Sequence, residues 1–229
     1  MAINTTAYDI IKKELDVKKT ALVAVSKTKP VEDIQALYDL GQRDFGENYV
    51  QEMVEKETVL PKDIRWHFIG HLQRNKVKYI APFVHLIHGV DSFKLLDEIN
   101  TQALKCNRTI DCLLQMHIAT ETTKFGFNEE EATNLLNTLP KYQQLNQLKN
   151  VSIIGLMGMA SFSDNADLLR AEFKKIKKIF DANVQLQTAN CKLKTLSMGM
   201  SSDYKIALEE GSTMVRIGSL LFGERNYNH

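Results

Sequence analysis

The sequence has little cysteine, no excess of charge of either sign and no long hydrophobic run. Its three cysteines, Cys106, Cys112 and Cys191, are odd in number and lack metal-site spacing, so we expect free thiols in a reducing cytoplasm. The 29 basic and 28 acidic residues nearly cancel, and neither forms a block that would attract nucleic acid or a membrane surface. No stretch is long enough to span a bilayer.

The signatures of nucleotide-binding sheets are also missing. No Gly-x-Gly-x-x-Gly opens the first helix, and no Walker-type lysine loop is present. Residues 1–19 mix acidic residues with scattered lysines and have no continuous apolar core, so they predict a first helix rather than a signal peptide. With 44% hydrophobic residues the chain can bury one large core, and we expect a single domain over residues 1–229.

What the sequence does contain is a regular alternation of short apolar runs with segments of helical periodicity. The eight apolar runs lie near residues 20–26, 43–46, 65–70, 83–88, 109–118, 151–158, 193–199 and 213–217. Such alternation predicts parallel strands joined by crossover helices. Eight units within this length favour a closed α/β fold, the (β/α)8 TIM barrel, over a doubly wound open sheet. The Gln- and Asn-rich segment 140–150 is expected to be a surface connection before the sixth strand.

The chemically most informative residue is Lys27, at the junction between the first apolar run and a helix that starts after Pro30. Lys27 shares parity with Val23 and Val25; if that face points into the barrel, the amine emerges from apolar surroundings. Partial desolvation lowers a lysine pKa and provides a free amine that can condense with an aldehyde. An ordinary solvated lysine is the alternative.

Two small-residue turns follow the seventh and eighth apolar runs. They contain Ser201 and Ser202, and Gly218 and Ser219. In a barrel of this kind the loops after strands seven and eight commonly bind phosphate through backbone amides, so these four residues are candidate phosphate contacts. Taken singly, each turn is equally explained as an ordinary helix start.

A lysine amine and a phosphate site together suit an aldehyde that carries a phosphate, such as pyridoxal 5'-phosphate (PLP). Arg216 could then donate a hydrogen bond to the pyridine nitrogen. Because arginine holds its proton tightly, the ring would stay unprotonated and be a poor electron sink, which suits storage of the cofactor. An ion pair across the barrel mouth is the other interpretation of Arg216.

Polar residues also follow the second and third apolar runs. Glu47 and Asn48 either belong to the site or simply begin the next helix. His67 and His71 could bind a metal in principle, but no acidic partner lies at zincin spacing, so we expect no metal site.

These stretches make the chain resemble the pyridoxal phosphate homeostasis protein family, a single-domain relative of the alanine racemase barrel. The matching segments are Ala24–Pro30, Phe45–Glu52, Trp66–Lys76, Lys124–Phe127, Gly155–Met157, Ser197–Asp203 and Arg216–Gly223. They follow the family's order from residue 24 to residue 223. One departure is visible near the fifth strand, where His117 and Ala119 stand in place of the family's usual asparagine and serine.

The resemblance implies a fold-type III PLP-binding barrel in which Lys27 forms the Schiff base and Arg216 faces the pyridine nitrogen. By motif position, Ser201, Gly218 and Ser219 lie at the phosphate, and Asn48 lies near the ring. It implies a cytoplasmic protein that buffers or delivers PLP to PLP-dependent apo-enzymes and influences amino-acid and keto-acid balance. We expect a monomer.

A small PLP-dependent amino-acid racemase is the alternative. The related racemases add a C-terminal β domain whose tyrosine is the second acid–base group, whereas 11 residues follow Gly218 here. Two-base racemisation needs a group on each face of the substrate, and Tyr204 and His71 are the possible substitutes. We expect no catalytic residues and no turnover. A vestigial ligand site is a third possibility.

Overall fold

Eight parallel strands close into a barrel in the computed structural model, which describes residues 3–119, 126–144, 148–185, 187–188 and 191–223. The barrel strands are β1 (Ala21–Val25), β2 (Asp44–Glu47), β3 (Arg65–Phe68), β4 (Leu86–Val90), β5 (Ile110–Met116), β6 (Val151–Gly158), β8 (Cys191–Met200) and β9 (Met214–Ile217). A short β7 (Gln187–Thr188) pairs antiparallel with the start of β8. The pairings β6–β8, β8–β9 and β9–β1 complete the ring, which confirms the predicted (β/α)8 fold.

Helices connect the strands. They are α1 (Thr5–Val17), α2 (Val31–Asp39), α3 (Val50–Val59), α4 (Val77–Ile80), α5 (Phe93–Lys105), α6 (Glu129–Gln144), α7 (Ala166–Asn183), α8 (Tyr204–Glu209) and α9 (Ser219–Phe222), with a 3-10 turn at Arg74–Lys76. The predicted connection 140–150 is wrong in its first part, because α6 continues through Gln144. None of the helices in the described ranges combines the length and apolar character needed to cross a membrane.

The barrel has an outer and an inner core. Outward-facing residues of the strands, such as Leu22 and Ala24, pack against the helices in one large cluster. A smaller cluster fills part of the interior and contains Val23, Leu86, Leu113, Met157 and Met214. Because side chains alternate along a strand, the inward position of Val23 carries Val25 and then Lys27 to the C-terminal mouth. The prediction that Val23 and Val25 share the inward face of β1 with Lys27 beyond them is therefore confirmed.

Candidate functional site

A cavity of about 380 Å³ opens at the C-terminal mouth of the barrel. Its volume lies within the range of small-molecule sites, about 300–1,000 Å³. All six residues predicted to bind a cofactor line this cavity, namely Lys27, Asn48, Ser201, Arg216, Gly218 and Ser219. Residues from four separate strand ends therefore meet at one place, as the barrel topology predicts.

Lys27 lies at one side of the cavity, two residues beyond the end of β1. It is half-buried, and Val25, Ile69 and Met159 supply apolar lining nearby. A second amine, that of Lys29, also lines the cavity; its Nζ donates to the carbonyl oxygens of Phe222, at 2.9 Å, and Gly223, at 3.3 Å. Two lysines therefore line the cavity, and hydrogen bonds hold the ammonium of Lys29 at the end of α9.

A buried polar cluster holds the loop that carries Lys27. Lys56 donates to the Ser26 carbonyl oxygen and to the carboxylates of Glu47 and Glu52 at 2.7–2.8 Å. Glu52 in turn accepts from the backbone N–H of Thr28, a residue with φ of +63°. Such a conformation is unusual for a β-branched residue and needs support from its surroundings. Both neighbours of Lys27 are therefore held in place.

Glu47 belongs to this cluster rather than to the cavity. Its side chain is fully buried, and its Oε1 accepts from the Ser26 hydroxyl at 2.6 Å and from Lys56 at 2.8 Å. Burial raises its pKa to about 7, against the opposing effect of the Lys56 ammonium. Lys56 was not predicted as part of the site, although its spacing of four residues from Glu52 places both on one helix face.

Arg216 is buried on β9 and reaches the cavity floor. Its guanidinium donates to the carbonyl oxygens of Ser197, at 2.9 Å, and Gly158, at 3.1 Å, and to the Ser197 hydroxyl at 2.6 Å. Desolvation lowers its pKa to about 10, so it keeps its charge at neutral pH. All of these acceptors are neutral, and the carboxylate of Asp203 acts on the Arg216 guanidinium electrostatically.

The two small-residue turns meet at the ends of the neighbouring strands β8 and β9. Ser201 follows β8, and Gly218 and Ser219 follow β9. The backbone N–H of Gly218 donates to the Ser201 hydroxyl at 3.2 Å, so this amide is already paired rather than open. An anion bound here would compete with Ser201 for that N–H, and the hydroxyls of Ser201 and Ser219 are further donors.

The other candidate residues lie elsewhere. The Tyr204 hydroxyl donates to Glu14 at 3.2 Å on the outside of the barrel. His71 contacts Asp91 at 3.1 Å and lines a second cavity of about 430 Å³, which shares Asn48 with the first. Neither His117 nor Ala119 is among the residues that line the first cavity. Lys124 and Phe125 of the matching segments fall outside the described residues.

His67 has different neighbours from His71, because it contacts Asp44, the first residue of β2. Its Nε2 is 2.9 Å from Asp44, which also binds Arg65 through both carboxylate oxygens. In the ranges that the structure describes, Asp44, His67 and His85 form the one group whose ligand atoms could meet at a metal ion. The guanidinium of Arg65 already occupies the carboxylate, which disfavours a cation there.

Comparisons with known proteins agree with the fold. The family described as alanine racemase, N-terminal domain, matches residues 6–226. The pyridoxal phosphate homeostasis protein of Aquifex aeolicus (strain VF5) is 42% identical over 208 residues, which are 90% of this chain and 87% of that protein.

Two solved structures of PipY from Synechococcus elongatus PCC7942 are also similar. The one without PLP has a TM-score of 0.84 at 35% identity and covers 95% of this chain and 99% of that chain. The one with PLP bound has a TM-score of 0.76 at 37% identity and covers 90% and 93%. The chain therefore belongs to the alanine racemase N-terminal domain family and, within it, to the pyridoxal phosphate homeostasis proteins.

Proposed function

We propose that this protein binds PLP in the cavity at the barrel mouth, as a Schiff base with Lys27, and acts in PLP homeostasis. The observation that carries the proposal is the convergence of all six predicted residues on one cavity of suitable volume. The PLP bound by PipY and the name of the Aquifex relative support it. In this role the protein buffers the cofactor, delivers it to apo-enzymes and thereby influences amino-acid and keto-acid balance.

The residues present fit the chemistry of PLP. The amine of Lys27 attacks the aldehyde carbon, and one water leaves as the imine forms. Ser201, Gly218 and Ser219 offer two hydroxyls and one backbone N–H to the phosphate. Asn48 also lines the cavity and is proposed to contact the ring. The loop around Lys27 is fixed by Lys56, which keeps the amine in position for attack.

Arg216 is the residue that favours storage over turnover. Bound PLP supplies an aldehyde for imine formation and an electron sink whose strength depends on protonation of its pyridine nitrogen. The guanidinium of Arg216 can donate a hydrogen bond to that nitrogen but keeps its proton, since its pKa stays near 10. The ring therefore remains unprotonated, and carbanion chemistry at bound amino acids is weakly supported.

The polar lining of the cavity also favours binding over racemisation. Among the described residues that line it, the titratable side chains are those of Lys27, Lys29 and Arg216. Tyr204 and His71, the possible second bases, lie outside. We therefore propose a binding protein without turnover. Incubation with L-amino acids in deuterated water should give no sustained exchange at Cα; exchange at enzymatic rates would establish the racemase alternative.

A monomer in the cytoplasm completes the proposal. The three cysteines are free, as expected where thiols stay reduced.

Borohydride reduction tests the covalent attachment. Reduction of the PLP-loaded protein should fix the cofactor mass on Lys27, because the other lysine that lines the cavity, Lys29, donates its Nζ hydrogen bonds to the carbonyl oxygens of Phe222 and Gly223. Peptide mapping by mass spectrometry locates the label. Lys27→Ala should abolish the visible absorbance with the fold intact by circular dichroism, whereas the exposed-lysine control Lys76→Ala should keep it. A label on Lys29 would mean that the wrong amine has been assigned.

A further inference from the structure

A continuous chain of hydrogen bonds crosses the barrel interior and ends at Arg216. The Arg216 guanidinium bonds the Ser197 hydroxyl at 2.6 Å, and that hydroxyl lies 3.2 Å from His88 Nδ1. His88 Nε2 lies 3.0 Å from His67 Nδ1, and His67 Nε2 lies 2.9 Å from Asp44. Ser197, His88 and His67 are almost wholly buried, at 0–1% exposed surface. The chain therefore runs through the protein and avoids water.

The two ends of this chain fix its polarity. Arg216 has only donors, so Ser197 must accept its hydrogen bond. Arg65 and His67 hold the pKa of Asp44 well below its usual range, in spite of burial, so that carboxylate only accepts. With both imidazoles neutral, every hydrogen bond between the two ends points from Arg216 toward Asp44.

This polarity assigns the histidine tautomers. The single hydroxyl proton of Ser197 goes to His88 Nδ1, so the proton of His88 sits on Nε2 and is donated to His67. His67 Nδ1 accepts, and its own Nε2–H is donated to Asp44. Burial depresses the pKa of His88 strongly, and the nearby Arg216 guanidinium adds to this effect, which keeps His88 neutral. Each donor in the chain finds one acceptor.

The chain of hydrogen bonds also explains how a buried guanidinium is held when none of its hydrogen bonds within the described residues goes to a carboxylate. Three of the five N–H groups of Arg216 are engaged by protein acceptors, two on Ser197 and one on Gly158. The others remain for a ligand in the cavity that Arg216 lines. Since Ser197 is itself oriented by His88, the direction of the guanidinium depends on residues that never reach the cavity.

We propose that Ser197 and His88, backed by His67 and Asp44, are positioning residues that orient Arg216 for the pyridine nitrogen of PLP. The inference rests on the proposed function. It adds a chain of hydrogen bonds, all pointing in one direction, that connects Arg216 to the opposite end of the barrel. Substitutions at His88 change cofactor binding through Arg216, although the imidazole does not line the cavity.

The polarity is tested without any cofactor. Nitrogen-15 NMR of the cofactor-free protein at neutral pH distinguishes the two neutral imidazole tautomers, and the variants His67→Gln and His88→Gln assign the signals. We expect both His67 and His88 as neutral Nε2–H tautomers. An Nδ1–H tautomer or an imidazolium at either position would overturn this direction of the hydrogen bonds.

The positioning role is tested by a matched pair at His88. A glutamine can accept from Ser197 and donate to His67, whereas a leucine of similar volume can do neither. We expect His88→Leu to weaken PLP binding about tenfold and to shift the absorbance maximum of the bound cofactor. His88→Gln should stay within about threefold of the wild type with an unshifted maximum.

Equal affinities and spectra for the two His88 variants would overturn the positioning role, since loss of packing alone does not separate them. If His88→Leu fails to fold, Ser197→Ala replaces it and removes the hydroxyl acceptor of Arg216 with little change in volume; an affinity within about threefold of the wild type would count against the inference. If the wild type itself binds no PLP, the proposed function fails, and the NMR tautomers alone decide the direction of the hydrogen bonds.

Discussion

Glu47 is the residue whose surroundings differ most from those of an ordinary carboxylate. Both oxygens are buried; Oε1 receives hydrogen bonds from Ser26 and Lys56, whereas Oε2 has no hydrogen-bond partner within the described chain. Burial of an incompletely paired carboxylate disfavours its charged form, which raises its pKa to about 7. Glu47 therefore costs stability at neutral pH in return for holding the loop of Lys27.

Glu47→Gln should remove a pH-dependent part of the stability. The folded pKa of about 7 lies above the unfolded value of 4.5, so the contribution of this group is fully present below pH 4.5 and is lost as the pH rises through 7. The free energy of unfolding of the wild type, relative to Glu47→Gln, should fall by on the order of 3 kcal/mol between about pH 4 and about pH 8. Urea unfolding at several pH values measures this difference. Parallel pH profiles for the two proteins would show that the Glu47 carboxyl titrates normally.

At this scale the sequence predicted the residues of the cavity but not those behind it. Lys27 and Arg216 could be found because a charged side chain in an apolar run, or next to a small-residue turn, stands out from its neighbours. Asp44, His67 and His88 could not be connected, since their proximity depends on the register of β2, β3 and β4, in which Gly46 pairs with His67. Sequence spacing carries no information about such cross-strand neighbours.

At the scale of elements, α3 is the helix that fixes the geometry of the site. Lys56, one turn from its end, reaches across to the loop after β1 and bonds the Ser26 carbonyl oxygen. The same ammonium neutralises Glu47 and Glu52, so a single buried cation joins a strand end, a loop and a helix. The exit angle of β1 toward the cavity thus depends on a residue about 30 positions away in sequence.

Lys56→Met should be strongly destabilising, because it leaves the buried Glu47 without its cation. Loss of one partner of a buried pair costs about 3–5 kcal/mol. The double variant Lys56→Met/Glu47→Gln removes both charges and should recover more than about 1 kcal/mol of that loss. Urea unfolding of the three variants gives the coupling free energy. Strictly additive effects would mean that Lys56 and Glu47 do not interact in the folded state.

The order of the barrel strands was predictable because apolar runs alternate with helical periodicity; the short β7, which has no helix before β8, was not predicted. All eight predicted strands are confirmed within a few residues. The end of α6 was not predictable from composition: glutamine and asparagine are common in loops, but Lys141 and the glutamines are also adequate helix formers, and α6 continues through Gln144.

At the scale of the whole molecule, the ring of strands is especially tight where β6 pairs with β8. Gly155 on β6 lies so close to β8 that an added Cβ would stand 1.8 Å from the backbone oxygen of Thr195. A backbone atom cannot move aside without shifting the strand, so closure of the barrel requires glycine here. Gly41, in contrast, has a φ of +98° and no neighbour within 4 Å of an added Cβ.

Gly155→Ala should therefore destabilise the fold by more than about 3 kcal/mol, because β6 and β8 must move apart to make room for the added methyl group. The control Gly41→Ala meets only backbone strain and should cost roughly 1–2 kcal/mol. Thermal and urea unfolding of the two variants provide the comparison. A smaller loss for Gly155→Ala than for Gly41→Ala would contradict the closure at β6–β8.

One lysine and two small-residue turns, which barrel closure brings together, are proposed to hold PLP. A crystal structure of the protein grown with excess PLP tests it most directly. We predict continuous density from Lys27 Nζ to the cofactor, with its phosphate at Ser201, Gly218 and Ser219 and its pyridine nitrogen facing Arg216. An empty cavity, or PLP attached to another amine, would contradict the account.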